Sequence, residues 1–325
     1  MRILAYLLVI SFATGGCKTE EQSNVLKLAH GLDRSHPVHK GMAFMAKRVD
    51  EISKGKLQVQ IYPSGQLGSE QQCVELLQIG SLAITKISAA VMESFVEDYK
   101  VLGLPYIFLS KEHSFEVLDG PVGKELLEAP VEYRIKGLCF YDAGSRSFYT
   151  ASHPILSPDD LKGMKIRVMK SITAINMIKA MGGSPTPISY GELYTALQSG
   201  VVDGAENNPP SFYFSRHYEV CKHYSLNEHT MIPDVLAIST VVWNKLSDQE
   251  KKWLMQAVDE SVIVQRELWK EAVEESLSEI KKNGVEIYYP DKMPFAEKVE
   301  EVFDIYKDKP KLYRLIEKIR ATKVE

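Results

Sequence analysis

Cysteine is scarce in this sequence, with four in 325 residues, and none stands in a CxxC pair or a ligand-spaced cluster. That removes zinc ribbons and dithiol redox chemistry from consideration. No apolar run approaches the about 20 residues that a membrane-spanning helix needs. A surplus of one charge is also missing: 39 basic residues against 43 acidic ones leave a net charge of −4 at pH 7. A mildly acidic, mixed surface excludes the basic stripe of a nucleic-acid binder. Nor is there an internal repeat, or any low-complexity tract beyond a short polar stretch near the N-terminus, so a solenoid is excluded.

What is present begins with a leader. Arg2, the apolar run from Ile3 to Ile10 and Thr14-Gly15-Gly16-Cys17 make a short export signal rather than a span. Small residues before a cysteine, then the polar Lys18-Thr19-Glu20-Glu21-Gln22-Ser23, resemble a bacterial lipoprotein signal, although Thr14 stands where leucine is usual. We expect residues 1–16 to be removed, Cys17 to become a lipidated N-terminus and residues 17–24 to form a tether, with an ordinary secretory signal as the alternative. Loss of Arg2 takes the net charge from −4 to −5, and the 309 residues that remain exceed one compact core, so two lobes are expected. Cys73, Cys139 and Cys221 have apolar or helical flanks and read as buried thiols. One disulfide among them is the alternative in an oxidising compartment.

Val25 to His30 and Leu57 to Tyr62 alternate as strands, and Pro37 to Ile52 reads as a helix. The loop Gly31 to Pro37 follows the carboxyl end of the first strand, where open α/β sheets bind ligands, and His36 is its ligand-facing residue. His30, His36 and His39 have no carboxylate or cysteine at ligand spacing to complete a set, so no metal site is expected. Ser69-Glu70-Gln71-Gln72 is a capping box, and Glu70 in the first turn suits the helix dipole. Ser81 to Ser88 is a short buried strand whose small polar end, Ser88-Ala89-Ala90, fits the edge of a pocket. Ser189 and Glu192 stand at capping-box spacing before a helix that runs to Ser199. Another capping box, Ser247 to Glu250, opens the longest helix. Its apolar residues Leu254, Val258, Val262, Leu268, Ala272, Leu277 and Ile280 recur at helical spacing up to Asn283-Gly284. At 1.5 Å per residue that span is roughly 54 Å, longer than one lobe is wide, so it must bridge two.

Two arginines follow glycine turns inside β-rich sequence, in Gly144-Ser145-Arg146-Ser147-Phe148-Tyr149 and in Gly163-Met164-Lys165-Ile166-Arg167-Val168. Side chains at such strand ends point toward a common space. A guanidinium fixed there holds a carboxylate through two parallel hydrogen bonds, a geometry that lysine lacks. Any one arginine, taken alone, is more often a solvated surface residue or the partner of a protein acid. The run Val202 to Pro209 adds Glu206 and Asn207, the latter able both to donate and to accept. The set points to anion recognition rather than bond-breaking.

The linked segments Phe140 to Tyr149, Asp160 to Val168, Ser184 to Pro187 and Gly191 to Asn207 resemble the solute-binding proteins of tripartite ATP-independent periplasmic (TRAP) transporters. The likeness runs from about Val25 to the C-terminus. Within that family, Gly204-Ala205-Glu206-Asn207-Asn208-Pro209, Ser215 to Val220 and Glu228-His229 are similar to the branch that binds hexuronates. The resemblance implies an α/β, periplasmic-binding-protein-like fold of two discontinuous lobes, 24–143 with 233–272 and 144–232 with 273–325, joined by hinge strands and a long bridging helix. It implies extracytoplasmic capture of an acidic sugar such as glucuronate or galacturonate by a monomer. The partners are TRAP membrane permease subunits, with no cofactor and no nucleic acid. Arg167 is expected to form the principal carboxylate pair, with Arg146 supporting it or holding a hydroxyl, while Asn207 and Glu70 read hydroxyls. Tyr190 matches the position where the family stacks a ring on the ligand, core packing being its alternative. Lys170 matches a frequent polar contact or is simply solvated. The rival readings are a sialate, C4-dicarboxylate or keto-acid binder, a ligand-sensing subunit, and an enzyme that uses Glu70 and Glu206 as acid and base on uronides.

Overall fold

A computed structural model describes residues 24–324; the leader, Cys17 and all of the expected tether but Asn24 lie outside the described residues. The strands are β1 (Asn24–Ala29), β2 (Leu57–Tyr62), β3 (Ile84–Ser88), β4 (Ile135–Tyr141), β5 (Ser145–Thr150), β6 (Lys165–Val168), β7 (Ser184–Pro187), β8 (Gly204–Asn207), β9 (His223–Met231), β10 (Asp234–Ser239) and β11 (Glu286–Tyr288). They form two sheets, in the orders β2-β1-β3-β10-β4 and β11-β9-β5-β8-β6-β7. Each sheet is mostly parallel and crossed by one strand that comes over from the other lobe. β10 runs antiparallel between β3 and β4, and β5 runs antiparallel between β8 and β9.

The chain passes from one sheet to the other between β4 and β5, returns between β9 and β10, and passes again along the helix Asp248–Lys282. That helix has 35 residues, about 52 Å at the standard rise, and it opens on the Ser247–Glu250 capping box. It packs on the helix Pro37–Ser53 beside the first sheet and on Pro209–Phe214 beside the second, and leads into β11. Its buried stripe differs from the apolar one expected. Val262, Leu268 and Leu277 are only partly buried, whereas Ser261, Gln265 and Ser276 are fully buried among Leu254, Val258, Trp269 and Ile280. The reason is what the stripe faces. Gln265 accepts from Asp142 N (2.9 Å) and donates to Asp142 O (2.8 Å), and Ser261 Oγ lies 2.7 Å from the Tyr141 hydroxyl. Where the chain leaves β4 its amides have no strand partner, so the helix supplies polar side chains instead.

Two further expectations are corrected. Helix Pro310–Ala321, expected with the second lobe, packs against Glu97–Gly103 and Pro121–Glu128, next to the first sheet. His113 Nε2 donates to Ile319 O (3.0 Å), and Lys318 reaches Glu125 (2.6 Å). Helix Met293–Asp304 does stay with the second lobe, against Ile172–Ala180 and β9. The helix expected from Ser189 begins as a single 3-10 turn, Tyr190–Glu192, and Ser189 makes no side-chain cap bond. Cys73, Cys139 and Cys221 are buried free thiols.

Gly144 is required twice over at the first crossing. Its φ of 56° lies in the left-handed region, and a Cβ would sit 2.9 Å from Trp269 Nε1. Gly163, at φ 78°, faces open space. Gly144→Ala is therefore expected to lower the unfolding free energy by roughly 2–4 kcal/mol, and Gly163→Ala by only about 1–2, the difference being the clash with Trp269. Denaturant midpoints at unchanged slope measure both, and equal shifts would contradict this account.

Candidate functional site

A cleft of about 630 Å³ lies between the sheets, at the carboxyl ends of β1, β3, β6 and β8, where open α/β sheets place ligands. One wall carries His36, Glu70, Lys86, Ser88 and Asp234, and the other carries Arg146, Arg167, Lys170, Tyr190 and Asn207. Trp269 of the long helix contributes where the walls meet. Every residue expected to face the ligand lines this cleft except Glu206, which stands behind the wall, while Cys17 lies outside the described residues.

Arg167 lies in β6 opposite Thr186 of β7 and Ala205 of β8, on a strand flanked on both sides. Its side chain is 1% exposed. Nε donates to Ile188 O (2.9 Å), while Nη1 is buried with no hydrogen-bond partner, and among the described residues no carboxylate comes within ion-pair distance. Burial without a counter-ion pulls its pKa below the arginine range, and the nearby Arg146 adds to the effect. The group remains a cation at neutral pH. A buried, unpaired guanidinium facing a cleft is complementary to an anion.

Arg146 differs. It donates to Glu206 Oε2 through Nε, to Glu206 Oε1 (2.8 Å) and Glu206 O (2.7 Å) through Nη2, and to Asn207 Oδ1 (2.8 Å) through Nη1. Four of its five N–H groups are committed to the protein, which leaves one Nη1 hydrogen. At Glu206 burial alone raises the carboxyl pKa, but the Arg146 charge and its hydrogen bonds outweigh it and bring it down to about 2. Behind them His229, stacked on Phe148 at 4.5 Å, has Nε2 3.6 Å from Glu206 Oε2. Glu206 therefore braces Arg146 rather than lining the cleft. Arg146 and Asn208 N both donate to Asn207 Oδ1, which commits the oxygen of this cleft-lining residue and leaves its amide nitrogen without a protein acceptor among the described residues.

On the facing wall Lys86, 4% exposed, donates to Glu70 (2.6 Å) and Asp234 (3.2 Å), and Glu70 also accepts from Ser88 N (3.3 Å). Burial disfavours the ammonium, but the two carboxylates reverse that and hold its pKa above the lysine range. Burial raises the pKa of Asp234 against the pull of Lys86. Lys86 and Asp234 were missed in the sequence. The available signal was a single charged residue, a lysine, within the short buried strand Ser81 to Ser88, because a buried lysine needs an acid and an acid must be brought to it.

The remaining residues are partly occupied. His36 caps its helix, accepting from Val38 N (3.3 Å) at Nδ1, so its proton is on Nε2, which bonds Ser211 Oγ (3.2 Å) across the cleft. Burial holds it neutral. The Tyr190 hydroxyl bonds Ser215 Oγ (2.5 Å), and the ring packs against the first-lobe core while bordering the cleft. Ser88 makes no cap bond with its side chain, and Lys170 is exposed at the rim. Glu70 and Glu206, the pair an enzyme acting on uronides would need as acid and base, are each held in an ion pair, and only Glu70 reaches the cleft.

Comparison with known proteins agrees with this geometry. Residues 28–309 match the family described as DctP, bacterial extracellular solute-binding protein, family 7. The chain is 39% identical over 322 residues to the uncharacterized protein YiiZ of Salmonella typhimurium, covering 98% of this chain and 96% of that one. A TRAP periplasmic solute-binding protein from Bradyrhizobium, solved with α/β-D-galacturonate, superposes with a TM-score of 0.90 at 38% identity over 92% of this chain and all of that one. Another from Anaerococcus prevotii, solved with α/β-D-glucuronate, gives 0.89 at 36% identity over 92% and 97%. Strand order, bridging helix and cleft lead to the same conclusion as these matches: the chain belongs to the DctP family of bacterial extracellular solute-binding proteins.

Proposed function

We propose that this protein captures a hexuronate outside the cytoplasm and passes it to the membrane permease of a TRAP transporter. The observation that carries this reading is Arg167, a buried cation whose Nη1 has no partner and which faces the cleft. A sugar carboxylate supplies the missing acceptors. The remaining N–H of Arg146 and the amide of Asn207 take part in the same contact. Tyr190 covers a face of the ring, whose C–H groups suit an aromatic surface. Glu70 accepts from ring hydroxyls, with His36, Ser88 and Lys170 completing the rim. Glu206 acts through Arg146, fixing the guanidinium so that its free hydrogen is already aimed. The similarity to galacturonate-bound and glucuronate-bound relatives supports the choice of sugar acid. Cys17, lipidated, would tether the protein to a membrane by the short polar stretch that follows it.

Arg167→Ala is expected to weaken glucuronate or galacturonate binding by about 2–5 kcal/mol, at least thirtyfold, in calorimetry. Its unliganded melting temperature should fall little, because the variant removes an uncompensated charge; unchanged affinity would refute the assignment. In a thermal-shift panel, a hexuronate at a hundred times its Kd should raise the melting temperature by on the order of 5 °C, more than sialate or a C4-dicarboxylate at the same concentration. Since the Glu206 pKa is depressed to about 2 in the folded state, its contribution to stability is full above the ordinary carboxyl range and is lost as pH falls through 2. Stability measured from pH 6 down to pH 2 should therefore decline less steeply in Glu206→Gln than in the parent. Cys17→Ser should move the protein from the membrane fraction to the soluble one.

A further inference from the structure

The wall opposite Arg167 carries three charges in contact, Glu70, Lys86 and Asp234, all lining the cleft. Two carboxylates share one ammonium, so the trio has a formal charge of −1. The side chains are only 16%, 4% and 10% exposed, so water screens that charge poorly. Across the cleft the balance is reversed: Glu206 neutralises Arg146, the exposed Glu192 offsets Lys170 in formal charge at the rim, and the unpaired Arg167 leaves that wall net positive. The cleft is polarised, with a cationic wall and an anionic one.

We infer that Glu70, Lys86 and Asp234 form the selectivity element of the cleft, admitting sugar acids with one carboxylate and rejecting those with a second carboxylate at the far end. The inference rests on the proposal that Arg167 takes the ligand's carboxylate. With that end fixed, the other end of the molecule lies against the trio. Hydroxyls there donate to carboxylate oxygens that are already ordered: Lys86 holds Glu70 Oε1 and Asp234 Oδ1, and Ser88 N holds Glu70 Oε2. A second carboxylate has no hydrogen to donate and meets net negative charge. At about 5 Å and an effective dielectric of about 20, that repulsion weakens binding on the order of a hundredfold. Discrimination of this kind works by penalising the wrong ligand rather than by improving the right one.

The test is calorimetry with D-glucuronate and with D-glucarate, a diacid of the same carbon number, on the parent protein and on Asp234→Asn. The parent should bind glucarate at least a hundredfold more weakly than glucuronate. Asp234→Asn keeps the shape, leaves Lys86 paired with Glu70 and neutralises the trio, so the ratio of glucarate to glucuronate affinity should rise at least tenfold. Glu70→Gln removes the same unit of charge and serves if the first variant does not fold. Comparable affinities in the parent, or a ratio unmoved by either variant, overturn the inference while leaving hexuronate capture intact. Failure of the parent to bind any hexuronate overturns both.

Discussion

An unpaired guanidinium in a buried place is the constraint from which the cleft follows. Removing a charge from water without a partner costs several kcal/mol, and proteins tolerate it where something outside the chain completes the contact. Arg167 is held by strands on both sides and by the Ile188 carbonyl, so it cannot turn away to find an acid of its own. The carboxylate whose charge reaches it through space, on Glu206, is already engaged by Arg146. Two arginines side by side thus have different tasks. One is neutralised and rigid, shaping the wall; the other is left with a deficit that, on the proposed reading, a solute carboxylate relieves. On the same reading, a solute that displaces water from the cleft lowers the local dielectric and strengthens that contact.

The anionic wall follows a different logic. Lys86 is as deeply buried as Arg167, yet it has two acids within reach. Those acids come from distant parts of the chain: Glu70 begins a helix after β2, and Asp234 begins the strand that returns from the second lobe. Strand β10 is what brings Asp234 opposite Ser88. The return crossing therefore serves the cleft as well as the hinge.

How much of this could be read in the sequence depends on how local each signal is. Arg146, Arg167 and Asn207 stand in compact motifs beside glycine turns, and the structure brings all three to one wall. The Ser69–Gln72 and Ser247–Glu250 capping boxes are local patterns of four residues, and both form. Lys86 and Asp234 were invisible because their pairing spans 148 positions and depends on an antiparallel strand inserted between parallel ones. The polar stripe of the long helix was misread for a related reason: periodicity finds apolar faces, whereas Gln265 is buried to satisfy backbone that no strand covers. Glu206 was grouped with Asn207 as facing the ligand; nothing in the sequence shows that Arg146 engages the Glu206 carboxylate and leaves only Asn207 of the two lining the cleft.

The final helix, folded back onto the first lobe, changes the mechanics of the whole. Residues 305–309 link Met293–Asp304, seated on the second lobe, to Pro310–Ala321, seated on the first. Among the described residues the lobes are consequently tied at four places: two short strand junctions, the long helix and this strap. Four connections between the same two bodies restrict how one can twist or slide against the other. Any movement of one lobe against the other must be accommodated at all four ties together.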